Sequence, residues 1–105
     1  MDWFYLVMAG LFEIGFTTFL KLSNNFTRFW PTVSFFVLAI LSFCSLSMSL
    51  RSIPLGTSYA IWTGIGAFGT ALVGIVYYGE PSDAWRLFFL ALLILSIIGL
   101  KVVST

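Results

Sequence analysis

Four long apolar stretches occupy most of this sequence and decide what the chain can fold into. Each is close to the ~20 residues that a tilted helix needs to cross the hydrocarbon core of a bilayer. The 105-residue chain is 60% hydrophobic and only 9% charged, which is more apolar surface than a soluble domain of this size can bury. We therefore predict an all-α integral membrane protein with four transmembrane helices. The predicted helices cover residues 3–20, 30–50, 54–78 and 84–103.

The segments between these stretches are short and polar, as expected for turns at a membrane surface. Residues 21–29 are rich in Ser and Asn, and residues 79–83 read Gly-Glu-Pro-Ser-Asp, which is typical turn chemistry. No part of the sequence has the composition of a linker, so we predict one domain over residues 1–105. The first stretch has no basic segment before it and no small-residue cleavage site after it. We expect it to be a spanning helix rather than a signal peptide.

The composition argues against several classes of function. The chain has no histidine and a single cysteine, Cys44, so it offers neither a histidine metal site nor an intrachain disulfide. A net charge of +1 with five dispersed Lys and Arg residues makes no basic patch for nucleic acid. Glu13 is an isolated acid inside an apolar stretch. Without a partner base, nucleophile or metal ligand, it fits no enzyme mechanism. We expect a protein that is not an enzyme and that uses no metal or other cofactor.

The basic residues are divided almost evenly between the two sides of the predicted bundle. Four helices place Lys21, Arg28 and Arg86 on one side, and Arg51 and Lys101 with the N-terminus on the other. The positive-inside rule therefore has little to act on. We hypothesise dual topology, in which copies insert in both orientations and pair as an antiparallel homodimer. An orientation fixed by hydropathy or by an unknown partner is the alternative.

Glu13 lies near the middle of the first apolar stretch and is the most informative residue of the chain. An ionisable group at that depth is costly and usually marks a substrate or proton path. Helical spacing places Ala9, Gly10, Phe16 and Thr17 on the same face, and the small residues among them leave room for a ligand. The alternative is a purely structural role, in which Glu13 is buried in its neutral form or paired with a lysine. We predict that Glu13 binds both protons and a cationic substrate.

The third helix begins with the most distinctive stretch of the chain, residues 54–66. Tyr59 and Trp62 lie one turn apart, so a cation could stack on both rings while the carboxylate balances its charge. Anchoring of these rings at the lipid interface is the alternative. Further along, Gly64 and Gly66 suit both close helix packing and a bend in the helix.

The second and fourth helices contribute small residues. Ser42 is expected near mid-membrane, where its hydroxyl bonds Glu13, a ligand N–H or a carbonyl of its own helix. The fourth helix has no acid and contains Ser96 and Gly99, which favours helix packing or dimerisation. Lys101, near the end of this helix, is expected to extend to the membrane surface.

These motifs resemble the small multidrug resistance family over essentially the whole chain, and most closely its guanidinium-exporter branch. The resemblance implies a four-helix protomer in an antiparallel dimer, and proton-coupled export of small cations across the bacterial inner membrane. It also implies that Glu13 is the shared proton and substrate site, that Gly64 to Gly66 form a bend, and that Ser42, Tyr59 and Trp62 line the site. The resemblance rests on Gly10-Leu11-Phe12-Glu13, Leu20-Lys21, the stretch from Pro54 to Gly66, and Ile98-Gly99-Leu100-Lys101.

One departure from the family pattern concerns the substrate. Guanidinium exporters of this family usually carry a tryptophan where this chain has Phe16, so one N–H donor to the central carboxylate is missing. Thr17 is a better candidate than Thr18 to replace it, because Thr17 shares a helix face with Glu13. We predict export of guanidinium or guanidinyl compounds, because these bind a carboxylate through paired N–H groups. The alternatives are a quaternary ammonium or multidrug cation exporter that depends on aromatic rings, one subunit of a heterodimer with a second small subunit, and a purely structural or regulatory membrane subunit.

Overall fold

Four α-helices account for nearly all of the chain. The computed structural model describes residues 2–104, with side chains described through Val103; Met1 and Thr105 of the predicted domain lie outside the described residues. All four helices are long and apolar enough to cross a membrane. This confirms the predicted four-span all-α fold, and the predicted helix ends agree with the observed ones to within two residues. The helices are α1 (Asp2–Leu22), α2 (Phe29–Ser49), α3 (Leu55–Tyr78) and α4 (Ala84–Ser104).

The helices are arranged side by side rather than around a central core. α1 lies between α2 and α3, and α4 packs against the far side of α3. The molecule measures 42 × 35 × 17 Å, so it is flattened in one direction. Most apolar side chains consequently face outward. The buried apolar residues are Leu6, Ala9, Ile53, Ile61 and Trp62.

The helix ends are fixed by turn chemistry that the sequence indicates. Gly79 ends α3 in the left-handed conformation, with φ of 66°, which costs a glycine no steric strain. The N–H of Glu80 then donates to the carbonyl of Gly74 at 3.1 Å. Between α1 and α2, the buried Ser23 hydroxyl donates to the Leu20 carbonyl at 2.7 Å and accepts from the N–H of Phe26 at 3.1 Å.

Charged residues collect at the two ends of the bundle, which we name by one residue each. At the Lys21 end, the Lys21 ammonium lies 4.4 Å from the centre of the Tyr78 ring. At the Arg51 end, the Lys101 ammonium lies 5.1 Å from the centre of the Trp3 ring. Contacts of this kind keep the amines beside aromatic rings near the helix ends, where bilayer interfaces lie.

α1 and α3 approach each other closely along a line that we call the α1–α3 seam. A Cβ placed at Gly69 would overlap the side chain of Ile14, and one placed at Gly10 would lie 2.6 Å from the Ile65 side chain. Gly64 lies on another face of α3, where a Cβ would lie 2.8 Å from Ile97 of α4. The glycines of α3 therefore serve packing on two sides of the same helix.

Candidate functional site

Glu13 projects from the middle of α1 into the α1–α3 seam. A Cβ at Gly66 would overlap its carboxyl group, so the missing side chain at position 66 provides the space that the carboxyl occupies. The Oε1 atom of Glu13 is buried and has no hydrogen-bond partner. Among residues 2–103, one other buried side-chain nitrogen or oxygen, the Nε atom of Arg86, also lacks a hydrogen-bond partner. Since an unpaired buried polar atom is costly, Glu13 is poorly explained by stability.

Ser42 joins three helices through one hydroxyl. It donates to the carbonyl of Ala9 on α1 at 2.7 Å and accepts from the indole N–H of Trp62 on α3 at 2.9 Å. Ser42 is fully buried and Trp62 is 7% exposed. The expected partners of Ser42 were Glu13, a ligand or its own helix, whereas the observed partner is a carbonyl of the neighbouring helix, one turn before Glu13. The Ser42 hydroxyl and the Trp62 N–H therefore donate to other groups, and neither donates to the Glu13 carboxylate.

Four aromatic rings from three helices form a continuous chain beside this network. The ring centres of Tyr59 and Trp62 are 5.8 Å apart, those of Trp62 and Phe43 are 5.2 Å apart, and those of Phe43 and Phe16 are 6.4 Å apart. Tyr59 is 57% exposed, so this aromatic chain runs from the buried Trp62 to the surface of the molecule. Phe43 was not identified from the sequence. Its neighbour Ser42 gave the only local signal that this part of α2 faces the site.

Thr17 has different partners from those expected. Its hydroxyl oxygen lies 3.0 Å from the backbone carbonyls of Glu13 and of Ile14, and 2.7 Å from the hydroxyl oxygen of Thr70 on α3. In the structure, Thr17 therefore does not serve as the donor to the Glu13 carboxylate that was expected to replace a tryptophan N–H. Thr70 was missed in the sequence, although it follows Gly66 by four residues just as Thr17 follows Glu13.

The remaining site predictions concern a bend in α3, a dimerisation surface on α4 and the absence of a metal site. α3 is one uninterrupted helix from Leu55 to Tyr78, and a bend at Gly64 to Gly66 stays a prediction. On α4, Ser96 and Gly99 are exposed, and a Cβ at Gly99 would meet nothing within 4 Å. Over the described part of the chain, no three Cys, Asp or Glu side chains come together in a way that could hold a metal.

Comparison with known proteins identifies close relatives. The family model described as Small Multidrug Resistance protein matches residues 1–93. The guanidinium exporter of Proteus vulgaris is 45% identical over 104 residues, which are 99% of this chain and 100% of the relative. The guanidinium exporter of Escherichia coli (strain K12) is 46% identical over 101 residues, and that of Salmonella typhimurium is 44% identical over 101 residues, in each case 96% of both chains. These names describe transporters rather than enzymes.

Proposed function

Because this chain belongs to the small multidrug resistance family, we propose that it exports small organic cations in exchange for protons, with Glu13 as the binding site for both. The chain is a multi-pass protein of the bacterial inner membrane. The observation that carries the proposal is the buried Oε1 atom of Glu13, which has no hydrogen-bond partner and lies against the bare backbone of Gly66.

A lone carboxylate in this position supports exchange for an electrostatic reason. An ionised carboxylate inside a membrane is tolerated only beside a positive charge. Within residues 2–103, the ion pair that forms is between Arg86 and Glu80. No Lys or Arg side chain of this part of the chain pairs with Glu13. Its charge is therefore compensated by a bound cation or removed by a proton. Because one carboxylate cannot hold both, binding of one releases the other, and no further cofactor is needed.

Guanidinium is the substrate best supported by the chemistry of the site and by the names of the relatives. Its planar N–H groups form paired, charge-assisted hydrogen bonds with a carboxylate. The Trp62 N–H and the Ser42 hydroxyl already bond to other groups, so neither competes with the substrate for the Glu13 oxygens. The acceptor capacity of the carboxylate is left for a ligand that brings its own donors.

A quaternary ammonium cation is the second candidate, and the aromatic chain favours it. Such a cation has no N–H group and depends on ring faces for its affinity. Tyr59, Trp62, Phe43 and Phe16 supply consecutive rings, and the family's description names multidrug resistance. The test therefore compares the two kinds of cation.

A second copy in the opposite orientation completes the proposed transporter. The flattened protomer leaves most apolar side chains uncovered, which suits pairing within the bilayer. Ser96 and Gly99 on the open face of α4 are small enough for close helix contact. Two protomers that exchange conformations would present Glu13 to each side of the membrane in turn. A heterodimer with a second small subunit is the alternative assembly.

Proteoliposomes that contain only this chain provide the test. Under an imposed proton gradient, we expect electrical current or isotope uptake with guanidinium, and a weaker signal with tetraethylammonium. Glu13→Gln, which preserves shape but cannot ionise, is expected to abolish exchange while its helical circular dichroism is unchanged. Coupled exchange by the Gln variant would refute the role of Glu13. Silence of folded wild-type protein with both cations would refute a homodimeric exporter.

A further inference from the structure

The α1–α3 seam is apolar on one side of Glu13 and polar on the other. Toward the Arg51 end, Leu6 and Ala9 are fully buried and Ile61 is 3% exposed. These side chains give water no hydrogen-bond partners, and the buried Ser42 hydroxyl and Trp62 N–H beside them are already paired within the protein, so water does not occupy this region. This half of the seam is therefore dry.

Toward the Lys21 end, the next helical turn carries two facing hydroxyl groups. Thr17 lies one turn beyond Glu13 on α1, and Thr70 lies one turn beyond Gly66 on α3. Their hydroxyl oxygens are 2.7 Å apart, and both residues are half-buried. A threonine hydroxyl both donates and accepts, so this pair can join a chain of hydrogen-bonded waters.

A small, half-open cavity of about 60 Å³ lies beside the threonine pair, and its mostly apolar wall carries several polar side chains. Thr17 and Thr70 line it, and Lys21, Tyr78 and Glu80 border it toward the membrane surface. Since about 15 Å³ is enough to hold one water that has polar partners, the cavity has the size and the chemistry for a short file of waters.

Glu80 is held at the mouth of this cavity by the turn that ends α3. The left-handed Gly79 reverses the chain, and the Glu80 carboxyl consequently lies over Gly74, where a Cβ would overlap it. One carboxyl oxygen of Glu80 bonds to Nη2 of Arg86 at 3.1 Å, and the Glu80 side chain is 42% exposed. The carboxyl therefore touches both the cavity and bulk solvent.

We propose that protons reach Glu13 by a hydrated route from the Lys21 end, through the cavity of Thr17, Thr70 and Glu80, and that the organic cation uses a different route. The proposal rests on the proposed function, in that Glu13 is taken to exchange protons. The Thr17–Thr70 pair is the step between the cavity and the carboxyl, and Glu80 is the group that faces bulk water.

The charges at the mouth explain why the route is selective. The Lys21 ammonium is drawn in over the Tyr78 ring, and Arg86 lies on Glu80, so two positive groups border an opening that has one carboxylate. An organic cation meets net positive charge there, whereas water in the cavity relays a proton along hydrogen bonds. The aromatic chain that ends at Tyr59 lies away from this cavity and is left for the substrate.

The first test removes the hydroxyl groups while preserving shape. Thr17→Val with Thr70→Val is compared with Thr17→Ser plus Thr70→Ser, which retains both hydroxyls, and with Thr63→Val, whose hydroxyl bonds only carbonyls of its own helix. At saturating guanidinium, we expect proton-driven exchange to fall about tenfold or more in the valine pair. Equilibrium guanidinium binding is expected to stay within about twofold of wild type, since the carboxylate is intact.

The outcomes separate the route from the function. The serine pair and Thr63→Val are expected to exchange at close to the wild-type rate. Exchange at the wild-type rate by the valine pair would overturn the route and leave the proposed function standing. An equal loss in the valine pair and in Thr63→Val would also overturn the route, as would a loss of guanidinium affinity that matches the loss of rate. Absence of exchange in wild-type protein would instead refute the proposed function.

A second test needs no transport and remains informative if the valine pair fails to fold. In a Cys44→Ser background, Thr70→Cys and Ala67→Cys place thiols one turn apart on α3, at the cavity and on an exposed face. A charged, water-soluble thiol reagent reacts in water and not in lipid, because it requires a thiolate. We expect modification of Thr70→Cys and not of Ala67→Cys. An unreactive Thr70→Cys would overturn the hydrated route.

Discussion

The carboxyl group of Glu13 occupies the space that a side chain at Gly66 would fill. A Cβ at position 66 would overlap that carboxyl, so a residue on α3 sets where the acid of α1 can lie. The sequence places these residues 53 positions apart. Their contact makes the position of the carboxyl a property of helix packing rather than of α1 alone.

Gly66→Ala is predicted to abolish transport while the helices still form. The added methyl displaces the carboxyl from the seam, and the packed backbone of α3 cannot move away to accommodate it. Exchange in proteoliposomes and helical content by circular dichroism are the two measurements. Gly56→Ala is the control, because a Cβ there meets nothing within 4 Å, and alanine favours a helix by about 1 kcal/mol over glycine. Normal exchange by Gly66→Ala would contradict the assigned packing.

Ser42→Ala is predicted to lower the free energy of unfolding by about 1–2 kcal/mol. The substitution leaves the buried indole N–H of Trp62 without an acceptor and removes the bond to the Ala9 carbonyl. Unfolding of the purified protein in mixed detergent micelles measures the change, and the exposed Ser47→Ala serves as control. Trp62→Phe combined with Ser42→Ala should cost less than the sum of the single changes. Strict additivity would show that the two residues do not interact.

Phe16→Trp is predicted to raise guanidinium affinity by about tenfold relative to tetraethylammonium, the size of one charge-assisted hydrogen bond. The indole would bring an N–H donor one helical turn from Glu13, whose Oε1 atom has none. That donor would orient the carboxylate for a planar ligand with paired N–H groups. Competition binding measures the ratio, and Phe36→Trp, at an exposed position of α2, is the control. An unchanged ratio would show that the indole does not reach the carboxylate.

Gly99→Leu is predicted to prevent dimerisation without unfolding the protomer. A side chain at position 99 has open space within the protomer. A large residue there therefore clashes only with a second copy that packs against α4. Gly56→Leu is the matched control, since position 56 is equally open and lies on α3. Cross-linking in native membranes reports the dimer. Equal cross-linking of both variants would remove Gly99 from the interface.

Much of the fold follows from the sequence because the bilayer limits the possibilities. Each apolar stretch can form only a spanning helix when its backbone polar groups have no water to bond, and Gly79 and Pro54 indicate where α3 ends and begins. Glu13 is conspicuous for a similar reason, since one acid interrupts an apolar helix. These inferences depend on local composition alone.

The contacts of the site required the structure because they depend on how the helices rotate. Ser42 is one of several serines on α2, and only the packed arrangement directs it to the Ala9 carbonyl. Thr70 was missed because the sequence does not pair it with Thr17. Glu80 resembled a solvated turn residue, and its place over Gly74 depends on the left-handed turn at Gly79.

The measurement that tests the central claim most directly is the number of protons released when guanidinium binds. Calorimetric titrations in two buffers with different ionisation enthalpies give this number for purified protein. We predict release of about one proton per cation bound at a pH where the Glu13 carboxyl is protonated, falling toward zero as the pH rises and the carboxyl ionises. Glu13→Gln should release none and bind weakly. Absence of proton release at every pH from about 5 to 9, or equal binding by the Gln variant, would contradict a single carboxylate shared by proton and substrate.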